Sequence, residues 1–113
     1  MGAQVRLTLP IPPSANRYWR SVNGRMIISR EAKAFKAEVG LMLNTMGLHP
    51  ACGAVCVTLN VYRAQKRGDL DNYVKCTLDS LSGYAYEDDD QITELHAYRH
   101  DDKNFPRIEV QIE

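Results

Sequence analysis

Nowhere in this sequence does an apolar run approach the ~20 residues that a membrane-spanning helix requires. The first ten residues have neither the basic start nor the apolar stretch of a secretion signal. Both absences predict a protein that stays in the cytoplasm and has no membrane partner. Cysteine is scarce, with only Cys52, Cys56 and Cys76. An odd count without a secretion signal gives no disulfide framework, and Cys52-x-x-x-Cys56 lacks the second ligand pair of a zinc finger. Cys76 is expected to pack within a helix. His49, His96 and His100 are scattered and offer no Ser/His/Asp or Cys/His arrangement, so they read as surface or satisfied side chains. There is no Gly-rich phosphate loop, no repeat, no linker and no low-complexity segment. What remains, at 113 residues with 44% hydrophobic and 25% charged, is one soluble domain over residues 1–113, large enough for a single core.

Net charge is zero too, which by itself argues mildly against a nucleic-acid binder. The distribution argues the other way. Residues 1–67 hold ten bases against two acids, Glu31 and Glu38, for +8; residues 68–113 hold four bases against twelve acids, for −8. A neutral total of this kind can hide a basic surface beside an acidic metal pocket, unless the two halves interdigitate and cancel.

Val5–Leu9 alternates as a first strand and is followed by a Pro-rich loop. Asn23-Gly24, between Tyr18-Trp19-Arg20 and Arg25-Met26-Ile27-Ile28, signals a two-residue hairpin. Asn16, Arg17, Arg20 and Arg25 mix here with Tyr18 and Trp19. That mixture suits a DNA backbone and exposed bases, and equally an ordinary hairpin with a buried aromatic face. Ser29 caps a helix running to about Met46, ended by Gly47, with Ala32, Phe35, Val39, Met42, Leu43 and Met46 as its apolar stripe. Arg30, Lys33 and Lys36 share its opposite side, either solvated or facing phosphate. Ala54–Tyr62 alternates as a long strand, Gln91 to about Arg99 forms another, Asp101–Asn104 turns, and Arg107–Glu113 closes as a strand. The order β-β-β-α-β-α-β-β implies an α+β sheet with two helices packed on it.

The chain is organised around Gly68-Asp69-Leu70-Asp71-Asn72-Tyr73-Val74-Lys75 and the acidic run Glu87-Asp88-Asp89-Asp90-Gln91-Ile92. Asp69 and Asp71, two residues apart, leave an extended segment from one face. From Asn72 the period changes: Val74, Leu78 and Leu81 lie on one helical face, Gly83 stops it, and Asp71 or Asn72 caps its start. Two carboxylates and the Lys75 ammonium thus gather where a strand gives way to a helix, and four more carboxylates follow. Hard divalent cations such as magnesium suit such a cluster. Each residue also has a plain role open to it: Asp71 as a cap, Lys75–Asp79 as an exposed i,i+4 pair, the acidic run as a solvated turn.

The combination resembles the RusA family of Holliday junction resolvases. Asp69-Leu70-Asp71-Asn72, Lys75, Asp79, Leu81 and Asp88-Asp89-Asp90-Gln91-Ile92 carry the resemblance, and Leu9-Pro10-Ile11-Pro12-Pro13-Ser14-Ala15-Asn16-Arg17-Tyr18 looks like the family's N-terminal signature. The dense arginine run that family members can carry before the Asp-x-Asp is thinned here to Arg63, Lys66 and Arg67. The resemblance implies a homodimer with a mixed sheet that cuts four-way DNA by paired symmetric incisions with Mg²⁺, for which Mn²⁺ substitutes. It implies Asp69, Asp71 and Asp89 as metal-binding catalytic carboxylates and Lys75 as the catalytic lysine. Asn16, Arg17, Arg20, Arg25, Lys66 and Arg67 are then the candidates for DNA contact. Two other classes fit less well: another Asp-x-Asp metal-dependent phosphoryl- or glycosyl-transfer enzyme, and a junction-binding module that does not cut.

Overall fold

A β-α-β unit with parallel strands carries most of the candidate site, and the other elements pack around it. The computed structural model describes residues 4–64 and 69–113. In chain order the elements are β1 (Val5–Leu9), α1 (Ala15–Tyr18), β2 (Trp19–Val22), β3 (Arg25–Ile28), α2 (Arg30–Thr45), β4 (Val55–Arg63), α3 (Leu70–Leu81), a 3₁₀ turn (Asp89–Gln91), β5 (Ile92–Asp101) and β6 (Arg107–Ile112).

The expected α+β class and mixed sheet are present. Four strands run in the order β1-β6-β4-β5, with β4 and β5 parallel and the other pairs antiparallel. Two expectations need correction. Among the described residues there are three α-helices rather than two, because α1 is a single turn after the Pro-rich stretch, too short to leave a periodic pattern. The hairpin does not join the sheet: β2 and β3 pair only with each other, closed by Asn23 and Gly24 at φ 52° and 77°.

The alternation in β4 sorts its side chains as the sequence predicts. Val55, Val57, Leu59 and Val61 are buried with Leu7 and Leu9 of β1, Ile108, Val110 and Ile112 of β6, and the inner faces of α2 and α3. Cys56, Thr58, Asn60 and Tyr62 lie on the opposite, half-open face. α2 starts as read, with the Ser29 hydroxyl oxygen accepting from Ala32 N–H at 3.1 Å. In its middle, Gly40 lets the Tyr84 ring approach so closely that an added Cβ would sit 2.5 Å from ring carbons. Among the described residues no helix is long and apolar enough to cross a membrane.

Cys76 packs in the core, as its place in the helix implied, and burial together with the Asp79 carboxylate pushes its thiol from an ordinary value of 9.0 up to about 11, with Lys75 opposing. A raised folded-state value means that the native chain keeps a proton which the unfolded chain releases. The stabilisation is therefore complete below pH 9 and is lost as pH rises through 11. Two units correspond to about 3 kcal/mol. Urea denaturation at several pH values should show that Cys76→Ala loses less stability between pH 9 and 11 than the parent chain; equal losses in both would remove Cys76 from the alkaline transition.

Candidate active site

α3 begins two residues earlier than its sequence suggested. Asp69, not Asp71 or Asn72, holds the N-cap position, its carbonyl accepting from Asn72 N–H at 3.1 Å and Tyr73 N–H at 3.4 Å. Leu70 and Tyr73 both pack against the core, which favours the earlier start. The Asp69 side chain makes no capping bond. Asp69 and Asp71 are both exposed, with Asp71 in the first turn, where the helix dipole favours a carboxylate.

Asp71, Lys75 and Asp79 are spaced four apart and form one stripe along α3. The proposed Lys75–Asp79 pair is replaced by two contacts with the α1–β2 junction. The Tyr18 hydroxyl donates to Asp79 Oδ2 at 2.5 Å, and Lys75 Nζ stands 5.1 Å from the centre of the Trp19 ring. Burial and then Asp79 hold the Tyr18 phenol well above its ordinary range, so it stays a donor. Sequence reading placed these aromatics near DNA or in a core. In the structure Tyr18 is buried and clamps α3, while Val22, Met26 and Ile27 near the hairpin tip are exposed.

The acidic run precedes β5, which starts at Ile92. It folds as a 3₁₀ turn capped by Asp88, whose side chain accepts from Asp90 N–H at 3.3 Å. Gln91 closes the capping box, accepting from Glu87 N–H at 2.8 Å and Asp88 N–H at 3.0 Å. Its amide also donates to Ala51 O at 2.9 Å and Gly53 O at 2.8 Å, which anchors the turn beside the start of β4. The four acids are therefore unlike one another. Hydrogen bonding with Asp89 lowers Asp88. Asp89 is raised, first by that same bond to Asp88, then by burial and by the negative charges of Asp88, Asp90 and Asp79.

Asp89 stands at the end of the sheet where β4 begins: Ile92, three residues on, pairs with Val55, and Gln91 is tied to Ala51 and Gly53. Asp69 and Asp71 lie at the other end, with about 12 Å of helical rise between positions 71 and 79. One chain accordingly does not gather Asp69, Asp71 and Asp89. Among the described residues the only trio of His, Cys or acidic groups whose ligand atoms fall within 4.8 Å of one another is Cys56, Glu94 and His96.

Asn16, Arg17, Arg20 and Arg25 are all exposed on α1 and the β2–β3 ribbon. Arg17 pairs with Glu31 at 3.1 Å, but both side chains are more than half exposed, so the pair is weak and a phosphate can compete for it. A cleft of about 370 Å³ lies between the Pro-rich segment with the start of α1 (Pro12, Pro13, Asn16) and the first turn of α3 (Asn72, Tyr73). Lys66 and Arg67 lie outside the described residues. Arg63 is buried and paired with Asp101 at 3.1 Å, so it belongs to the sheet rather than to a DNA-facing run.

Residues 10–113 match the family model for endodeoxyribonuclease RusA. The crossover junction endodeoxyribonuclease of Enterobacteria phage HK97 is 32% identical over 101 residues, covering 85% of this chain and 82% of its own. Its counterpart in Enterobacteria phage 82 is 30% identical over 109 residues, and that of Escherichia coli 29% over 109; each alignment covers 94% of this chain and 91% of the relative. With the Asp-x-Asp at the head of α3, the clamped Lys75 and the crowded acidic turn all inside the matched span, the chain belongs to the RusA family of endodeoxyribonucleases.

Proposed function

We propose that this chain is a magnesium-dependent endonuclease that resolves Holliday junctions by paired symmetric incisions, acting in the cytoplasm as a homodimer of single domains. The observation that carries this reading is the separation of the carboxylates. Asp69 and Asp71 open α3 while Asp89 lies toward its far end, so a second copy of the chain is what can complete the set. In a two-fold dimer, Asp69 and Asp71 of one protomer meet Asp89 of the partner subunit, and symmetry creates two equivalent sites. A four-way junction is itself roughly two-fold, and two matched sites suit two opposed cuts.

The donors fit a hard cation: all three are carboxylates, and a positive ion would offset the negative charges of Asp88, Asp90 and Asp79 around Asp89. Asp69, Asp71 and Asp89 would hold the Mg²⁺ or Mn²⁺, whose chemistry would be activation of a water and charge stabilisation at the leaving oxygen of the scissile phosphodiester. The remaining steps belong to the protein. Lys75, held over Trp19, offers its ammonium to the non-bridging phosphate oxygens as charge builds on them. The Tyr18–Asp79 bond keeps α3 in register with the ribbon, so that Lys75 and the basic side chains act on the same DNA segment. Asn16, Arg17, Arg20 and Arg25, with Lys66 and Arg67, contact the backbone.

Incubation with a labelled four-way junction tests the chemistry. Cleavage is expected with Mg²⁺ or Mn²⁺ and little with Ca²⁺, whose looser shell positions the attacking water poorly. Undiminished cutting in EDTA contradicts the mechanism. Junction affinity, measured by gel shift across a salt series, should fall with a log–log slope of several units. Changing Arg17, Arg20 and Arg25 together to Ala should flatten that slope and weaken binding; an unchanged triple variant returns the ribbon to a purely structural role.

A further inference from the structure

We propose that Cys56, Glu94 and His96 form a second metal site, one that selects a cation of intermediate softness, zinc above all, and that is separate from the acidic site of α3 and the 3₁₀ turn. Cys56 lies on β4; Glu94 and His96, two residues apart, leave β5 from one face. The parallel register sets Cys56 beside Glu94 and Thr58 beside His96, so all three side chains share the sheet face that the helices leave open. Cys56 Sγ is 3.4 Å from Glu94 Oε2, His96 Nε2 is 3.7 Å from the same oxygen, and the three ligand atoms lie within 4.8 Å of one another.

The Cys56–Glu94 and Glu94–His96 separations are close to the edges of a zinc tetrahedron. Bonds of about 2.3 Å to sulfur and about 2.1 Å to nitrogen or oxygen place neighbouring ligands roughly 3.4–3.6 Å apart at tetrahedral angles. Small side-chain rotations suffice to close the set, and Glu94 and His96 are more than half exposed and able to make them. The donors are one thiolate, one imidazole and one carboxylate, which favour zinc over magnesium, while the fourth vertex is left to water. Cys52, the only neighbouring cysteine in sequence, is not part of the trio. The position also has a structural consequence. Glu94 comes three residues after Gln91, so a cation here ties the start of β5 to β4 and braces the turn that presents Asp89.

The test is titration of the full chain, stripped of metal and kept reduced, with Co²⁺. A thiolate-to-cobalt charge-transfer band in the near ultraviolet should saturate at one cobalt per chain, disappear on adding Zn²⁺ and survive excess Mg²⁺. Cys56→Ser should abolish the band and His96→Ala should weaken cobalt affinity about tenfold or more, whereas Cys52→Ser and Asp89→Asn should leave it intact. No band in the parent chain, or a band that persists in Cys56→Ser or vanishes in Cys52→Ser, overturns the site. Should Cys56→Ser fail to fold, alkylation of the parent chain decides: Zn²⁺ must slow iodoacetamide labelling of Cys56, read on its own peptide, and an unchanged rate overturns the proposal.

Discussion

Asp89→Asn should abolish junction cleavage, by roughly 10³-fold or more, equivalent to about 4 kcal/mol of lost transition-state stabilisation. Its neighbours should not behave alike. Asp88 caps the 3₁₀ turn and lies against Asp89, so Asp88→Asn disturbs the surroundings of the Asp89 carboxylate while keeping a side chain that can still cap; an intermediate loss is expected. Asp90 contributes its backbone N–H to that cap and adds only like charge around Asp89, so Asp90→Asn should be mild. Junction binding by Asp89→Asn should survive or tighten, because a negative charge beside the phosphate has been removed. Single-turnover cleavage and gel-shift affinity for the three variants side by side measure this. Full activity in Asp89→Asn with loss in Asp90→Asn would move the essential role from Asp89 to Asp90.

Much of the fold was legible because it rests on local periodicity. The alternation from Val55 to Val61, the Ser29 cap and the Asn23-Gly24 turn each encode their element within a few residues. The errors fall where tertiary packing overrides a local signal. Leu70 and Tyr73, partly buried, pack against the core, and α3 starts from Asp69, although Asp71 and Asn72 are respectable caps. Gln91 finds the Ala51 and Gly53 carbonyls, 40 and 38 residues away in sequence, and these contacts hold as a turn what reads as the start of a strand. The ribbon of β2 and β3 has the composition of a sheet component but pairs with neither edge of the main sheet.

The candidate residues of the site were legible as chemistry and not as geometry. Carboxylates in the pattern Asp-x-Asp, then Asp-Asp-x-Gln, can be read off a string, but their separation cannot. Acids that follow closely in sequence lie beyond the far end of an intervening helix of 12 residues, about 18 Å long. The Tyr18–Asp79 bond spans 61 residues and the Cys56–Glu94 contact 38, so neither carries a local sequence signal.

The separation of Asp89 from Asp69 and Asp71 is tested most directly with a dimer of two differently inactivated protomers. Asp71→Asn and Asp89→Asn chains, carrying different affinity tags, are co-expressed and the mixed dimer is isolated through both tags. If each site combines Asp69 and Asp71 of one protomer with Asp89 of the other, the mixed dimer holds one site with both substitutions and one with neither. It should then nick a four-way junction on a single strand at about half the per-dimer rate of the parent, a gain of roughly 500-fold over either inactive homodimer if each is down 10³-fold. If each site lies within one chain, both are damaged, and the mixed dimer will be as inactive as the two homodimers. Recovery of single-strand nicking is the predicted result; no recovery from a stable mixed dimer that still binds the junction would contradict the composite site.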